Sequence, residues 1–191
     1  MGPIVFLLAV ALIIALWMVT AYNGLIALKN ETLNALKQID VQLKRRHDLI
    51  PNLVQSVQGA MKFEQQTLQA VIEARNQAVK LASGADLQSV GKLAAAEQQL
   101  TGALGKLMAV VEAYPDLKAT GNIAQLQEEL TSTENKIGFA RQLYNDTATN
   151  YNTKQQQFPT AIVAPMAGAK PAELWEITDE AERAVPQVKL N

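Results

Sequence analysis

Apolar side chains fill the opening of the chain without interruption: Ile4 to Ala21 (IVFLLAVALIIALWMVTA) is almost wholly apolar, and the first charged side chain is Lys29. Such a run predicts a helix that is apolar on all sides. At ~1.5 Å per residue, Ile4 to Ala27 reaches roughly 36 Å, enough for a hydrocarbon core of about 30 Å with some tilt. The pattern then becomes periodic. Leu25, Leu28, Leu36, Ile39 and Leu43 stay roughly in phase, so the membrane helix is predicted to continue as a stalk. From Leu53 one stripe runs through Val57, Ala60, Thr67, Val71, Ala74, Ala78 and Leu81. A second, Ile50, Val54, Met61, Leu68, Ile72 and Val79, lies beside it, giving a helix with a broad buried face. Pro51 stands where stalk and bundle meet and predicts a break or kink near Arg46 to Pro51, with Asp48 as a possible cap.

Ser83-Gly84-Ala85-Asp86 interrupts the period, and a further helix follows with Leu87, Val90, Ala94, Leu100, Leu104, Leu107, Val111 and Tyr114 on one face. It is predicted to stop at Tyr114-Pro115-Asp116, because proline disfavours the helical conformation in the residue before it. The last long helix, from near Asn122, carries Leu126, Leu130, Thr133, Ile137, Ala140, Tyr144, Ala148, Tyr151, Gln155 and Phe158 at close to a 3.5-residue repeat. Short connections between long helices predict an all-α antiparallel up-down bundle. The chain thus divides into an anchor (1–28), a helical bundle (29–158) and a tail (159–191). In the tail, Pro159, Pro165, Pro171 and Gly168 make a loop, and a short helix from Pro171 is expected to contain Leu174, Trp175 and Ile177.

Charge adds orientation. Lys29, Lys37, Lys44, Arg45 and Arg46 follow the apolar run against Glu31 and Asp40, and none precedes it. The body is therefore expected on the cytoplasmic side of a bacterial inner membrane, with a short terminus outside. A cleaved signal peptide lacks its basic leading region here, and the absence of cysteine removes palmitoyl and prenyl anchoring as well as disulfides. A net charge of −1 argues against nucleic acid as a partner.

Recognisable chemistry is sparse. His47 is the only histidine and sits in no metal-ligand pattern; neither a GxxxxGKS/T loop nor a GxSxG elbow occurs, and no thiol is present. Neither a catalytic residue nor a cofactor is expected. Lys44, Arg45 and Arg46 are candidate contacts to lipid or to another subunit, with a solvated turn as the plain alternative. Glu134, Asn135, Arg141, Tyr144, Asn145, Tyr151 and Asn152 repeat along the last helix, where they either fix helix register or form an interface. Leu174, Trp175 and Ile177 read as a docking segment for the bundle or for another copy.

The segments LKRRHDLIPNLVQSV (Leu43 to Val57), AYPDLKA (Ala113 to Ala119) and LQEELTSTENKIGFARQLYNDTATNYN (Leu126 to Asn152) resemble the bacterial LemA family, as does the order of parts along nearly the entire chain. The tail departs from that pattern, with Met166-Ala167-Gly168-Ala169-Lys170 where relatives tend to carry an aromatic cluster. The resemblance implies a membrane-anchored, mostly helical cytoplasmic domain without an assigned activity. Together these features lead to the expectation of a non-enzymatic homo-oligomeric scaffold in contact with membrane lipids that organises or remodels the bilayer. The alternative is a monomeric adaptor for another envelope protein.

Overall fold

The computed structural model describes residues 2–58, 65–114 and 121–176. Four helices account for most of them: α1 (Gly2–Gln58), α2 (Gln65–Ala82), α3 (Val90–Glu112) and α4 (Gly121–Gln156), followed by a single 3-10 turn, Thr160–Ile162. The fold is all-α, as the periodicity predicts. Helix α1 packs along α4 and α2 packs along α3, while α1 and α2 share a shorter seam.

Helix α1 is one element of 57 residues, with Pro51 inside it. The predicted break is therefore absent, and Leu53, Val54 and Val57 belong to the end of α1 rather than to the next helix. Proline at position 51 lacks the N–H that would bond to the carbonyl four residues back, which leaves the His47 oxygen without its helical donor. Arg75 on α2 supplies the replacement, its Nε donating to the His47 oxygen at 2.8 Å. A proline that would otherwise interrupt the helix thus becomes a point where α2 is fastened to α1.

The bundle has two apolar cores with a layer of charge between them. The core farther from the apolar end of α1 gathers Ile50, Leu53 and Val57 of α1, Leu68, Val71 and Ala78 of α2, Leu100, Leu104, Leu107 and Val111 of α3, and Ile123 and Leu130 of α4. The core nearer the apolar end of α1 contains Leu36, Ile39 and Leu43, Leu87, Val90 and Leu93, and Ile137, Tyr144, Ala148 and Tyr151. The tail residues Ala172 and Trp175 complete it. Leu25 is fully buried, so the bundle begins there, while the side chains from Ile4 to Leu16 are open to their surroundings. Within α1, only the apolar run up to about residue 24 stands clear of the bundle.

Four further expectations are corrected. Helix α3 starts at Val90, because Asp86 accepts the Gln88 N–H (3.1 Å) and the Ser89 hydroxyl (2.7 Å) and thereby closes a turn, so Leu87 is buried from that turn. Ile72 and Val79, expected on a buried stripe, are exposed on α2, and Phe158 lies past the end of α4 and is exposed too. Residues 171–176 are not helical. Their backbone groups bond to side chains of α4 instead of to one another, which is described next.

Candidate functional site

Two constellations of polar side chains cross the bundle, and both include residues of α4. The first is the ionic layer. Arg46 sits on the interior face of α1, in the sequence of positions Ile39, Leu43, Arg46, Ile50, Leu53 and Val57. Only 2% of it is exposed. Its guanidinium lies 2.9 Å from Glu134 on α4 and 3.6 Å from Glu97 on α3, and its Nη2 donates to the Thr101 hydroxyl at 2.7 Å. Glu97 is wholly buried and shares a 2.7 Å hydrogen bond with His47 Nε2. Arg141 reaches Glu134 at 3.8 Å. Three helices are thereby joined through charges that would be costly if any partner were missing.

This layer corrects the reading of Arg46 as a lipid or subunit contact: it is buried and internally paired. Lys44 and Arg45 are exposed, with Arg45 3.8 Å from Glu129. Unbroken helix separates them from Leu28, so they stand roughly 25 Å along α1 from the end of the apolar stretch. Were the apolar stretch to end at lipid headgroups, that separation would be several times the Debye length of about 8 Å, too far for strong attraction.

The second constellation is a clasp on the tail. Asn145 pairs both edges of its amide with Trp175: Nδ2 donates to the Trp175 carbonyl (3.0 Å) and Oδ1 accepts the Trp175 N–H (2.8 Å). Asn152 does the same with Ala172, at 2.8 Å in each direction. The spacing explains why the tail is extended. Two turns of helix, seven residues, advance ~10.5 Å, and three residues of extended chain cover about 10 Å, so the two amides meet peptides three apart. Tyr144 donates its hydroxyl to the Glu173 carbonyl at 2.6 Å. Burial first, and then the charges of Glu173 and Asp86, raise its pKa well above that of an ordinary phenol and hold it as a donor.

The other edge of the tail meets α3. The Glu173 N–H donates to the Leu87 carbonyl at 2.7 Å, and the Gly91 N–H donates to Glu173 Oε2 at 2.9 Å. A methyl group at position 91 would stand 3.1 Å from that carboxylate oxygen, so glycine keeps the approach open. Trp175, 5% exposed, lies under the Arg141 guanidinium, 4.9 Å from ring centre to cation. Residues 171–176 therefore form a strap between α3 and α4. Arg141 touches both constellations, stacking on the strap and pairing with the ionic layer.

Of the residues singled out in the sequence, Glu134 and Arg141 belong to the ionic layer, while Tyr144, Asn145, Asn152 and Trp175 meet in the clasp. Tyr151 is buried in the core beneath it, and Leu174 packs partly against the same core. Asn135 is exposed and apart from both. Ile177 lies outside the described residues.

Glu97 and His47 escaped sequence reasoning as interior groups, yet a signal existed. Val90, Leu93, Glu97, Leu100, Leu104, Leu107 and Val111 follow one another at steps of three and four, so Glu97 stands on the buried stripe of α3 just as Arg46 stands on that of α1. Opposite charges on two buried stripes identify a buried pair. Among the described residues no three His, Asp or Glu side chains converge as a metal site. What the two constellations do is fix helices and strap against one another.

The model of the LemA family matches residues 35–190, which includes the ionic layer, the clasp and the strap. No curated protein matches the chain.

Proposed function

We propose that this chain, which belongs to the LemA family, is a non-enzymatic membrane-anchored scaffold whose copies associate side by side and organise or remodel the bilayer. In this reading the N-terminal apolar helix, a candidate membrane span, crosses a bacterial inner membrane with its short N-terminus outside and the bundle in the cytoplasm. The observation that carries the reading is the continuity of α1. The same helix that is apolar and exposed from Ile4 to Leu16 fills the bundle core from Leu25 to Val57. A flexible linker would let each bundle tumble, whereas a continuous helix ties the tilt of the span to that of the bundle. Contacts between bundles would then act on the lipid through rigid levers.

A face suited to such contacts runs along α1 and α4. Val41 (63% exposed), Phe139 (75%) and Leu143 line one shallow groove with the aliphatic stems of Gln38, Gln42 and Lys136. Parallel anchors would present this face to neighbouring copies at one height, as side-by-side packing requires. The chain has no cysteine, so a single introduced thiol reports cleanly. Phe139→Cys, Val41→Cys and a mixture of the two, oxidised in native membranes, are expected to give cross-linked dimers. Monomer alone in all three would contradict lateral packing through this face.

A second reading, an adaptor for another envelope protein, draws support from one feature. Among the described residues, the seam between α3 and α4 beyond the strap forms a groove lined by Thr101, Leu104, Met108, Gln127, Leu130 and Thr131. Stoichiometric co-purification of one different polypeptide, lost with Met108→Glu, would favour it.

A further inference from the structure

The register between α1 and α4 brings a set of exposed apolar side chains to the height where the apolar run ends. The ion pair of Arg46 with Glu134 sets that register, and Val41 beside Phe139 repeats it. Moving back along α1 from Arg46 and forward along α4 from Glu134 by equal steps brings Gly24 level with Gln156, the last residue of α4. Phe158 follows at the height of Tyr22. It is 84% exposed, more than any large hydrophobic side chain of the apolar run, and Ile162 (62%) and Met166 (65%) follow it at intervals of four. The same segment turns Thr160, Val163 and Ala164 inward, so it is two-faced, with its small side chains against the bundle and its large ones outward. Lys154 and Lys170 flank it on the surface.

Large apolar side chains exposed on one face, bounded by lysines and level with the end of a membrane span, have the composition of a segment lying in a lipid interface. We infer that Phe158, Ile162 and Met166 form a second membrane contact, dipping into the headgroup and upper acyl region beside the anchor. This rests on the apolar part of α1 spanning a bilayer. It moves the lipid-facing surface away from Lys44 and Arg45 to the opposite end of the bundle. Each chain then meets the membrane at two points, its span and the turn after α4, which prevents the bundle from tilting freely about α1.

The absence of native cysteine allows a direct test on the full chain. Single replacements Phe158→Cys, Ile13→Cys and Ile72→Cys, each of an exposed side chain, are labelled with an environment-sensitive fluorophore. The labelled chains are reconstituted in phosphatidylglycerol and phosphatidylethanolamine vesicles. Ile72 lies three residues before Arg75, which meets the His47 carbonyl, so position 72 stands about 37 Å or more from the height of Tyr22. Quenchers attached near the lipid headgroup are expected to dim the probe at 158 severalfold more than the probe at 72, with aqueous iodide giving the reverse order. A probe at 158 that responds like the one at 72, while the probe at 13 is quenched by chain-attached lipid quenchers, would overturn the second contact and leave the anchor standing. Failure of lipid quenching at 13 would remove the anchor reading, and the contact with it. Because the labelled positions are exposed, none of the replacements opens the core, and helical circular dichroism checks each variant.

Discussion

The halves of the bundle distal and proximal to the apolar run of α1 are closed by different means. In the distal half, leucine, isoleucine and valine of four helices meet directly, and the core is aliphatic throughout. In the proximal half the gap between α3 and α4 is filled by a strap without helical structure, held by two asparagine amides, a tyrosine hydroxyl and a tryptophan under an arginine. Apolar packing is non-directional and tolerates adjustment, whereas a bidentate amide fixes both position and chain direction. The half that adjoins the proposed membrane is thus the more tightly specified one. The ionic layer of Arg46, Glu97, His47 and Glu134 lies between them and makes the halves one unit.

Removing the layer should have the largest effect. Arg46→Ala leaves the wholly buried Glu97 with one partner fewer, and the expected loss is about 3–5 kcal/mol, read from thermal unfolding of the full chain in detergent. A loss well under ~1 kcal/mol would mean that solvent reaches Glu97 and that the halves are not joined through charge. Leu107→Ala comes next: a cavity among aliphatic neighbours should cost about 2–4 kcal/mol and raise hydrogen exchange mainly in α2 and the far end of α3. Asn152→Ala acts on the other half. Two strap groups lose their partner, for an expected cost of about 1–3 kcal/mol, with faster exchange at the Ala172, Trp175 and Gly91 amides and little change at the distal end. If either replacement loosened both halves equally, the distinction between them would fall.

The smallest effect belongs to the turn before α3. Hydrogen bonds from the Ser89 hydroxyl and then the Gln88 amide lower the Asp86 pKa below its usual value. A depressed carboxyl contributes stability that is present above its unfolded pKa, near 4, and lost as pH falls through the folded value. Asp86→Asn should therefore be slightly less stable than the native chain near pH 7, and the gap should close in acid. A gap independent of pH would assign the effect to turn geometry rather than to charge.

Helix periodicity made the bundle legible, because Leu126 to Tyr151 and Leu87 to Val111 keep one face mostly apolar over many turns, Glu97 and Thr133 being the polar exceptions. It also carried the clasp in part: Tyr144, Asn145, Tyr151 and Asn152 repeat at seven residues, which is the spacing that grips an extended strap. What they grip was not legible. A short apolar segment with an acidic start reads as a helix when its neighbours are unknown, and only the α4 amides make the extended form of 171–176 the better one. Pro51 misled for a similar reason, since the donor that replaces its missing bond comes from Arg75, distant in sequence. Arg46 was hidden by Lys44 and Arg45, which make it look like one of a solvated basic run although its phase with Leu43 and Ile50 places it inside.

The central claim, that rigidly anchored copies assemble, is most directly tested by the mass of the full-length particle extracted in mild detergent or lipid discs, with electron microscopy of the same sample. Closed, uniform particles of many copies are the predicted result. Single chains that persist at high concentration and in lipid would contradict it.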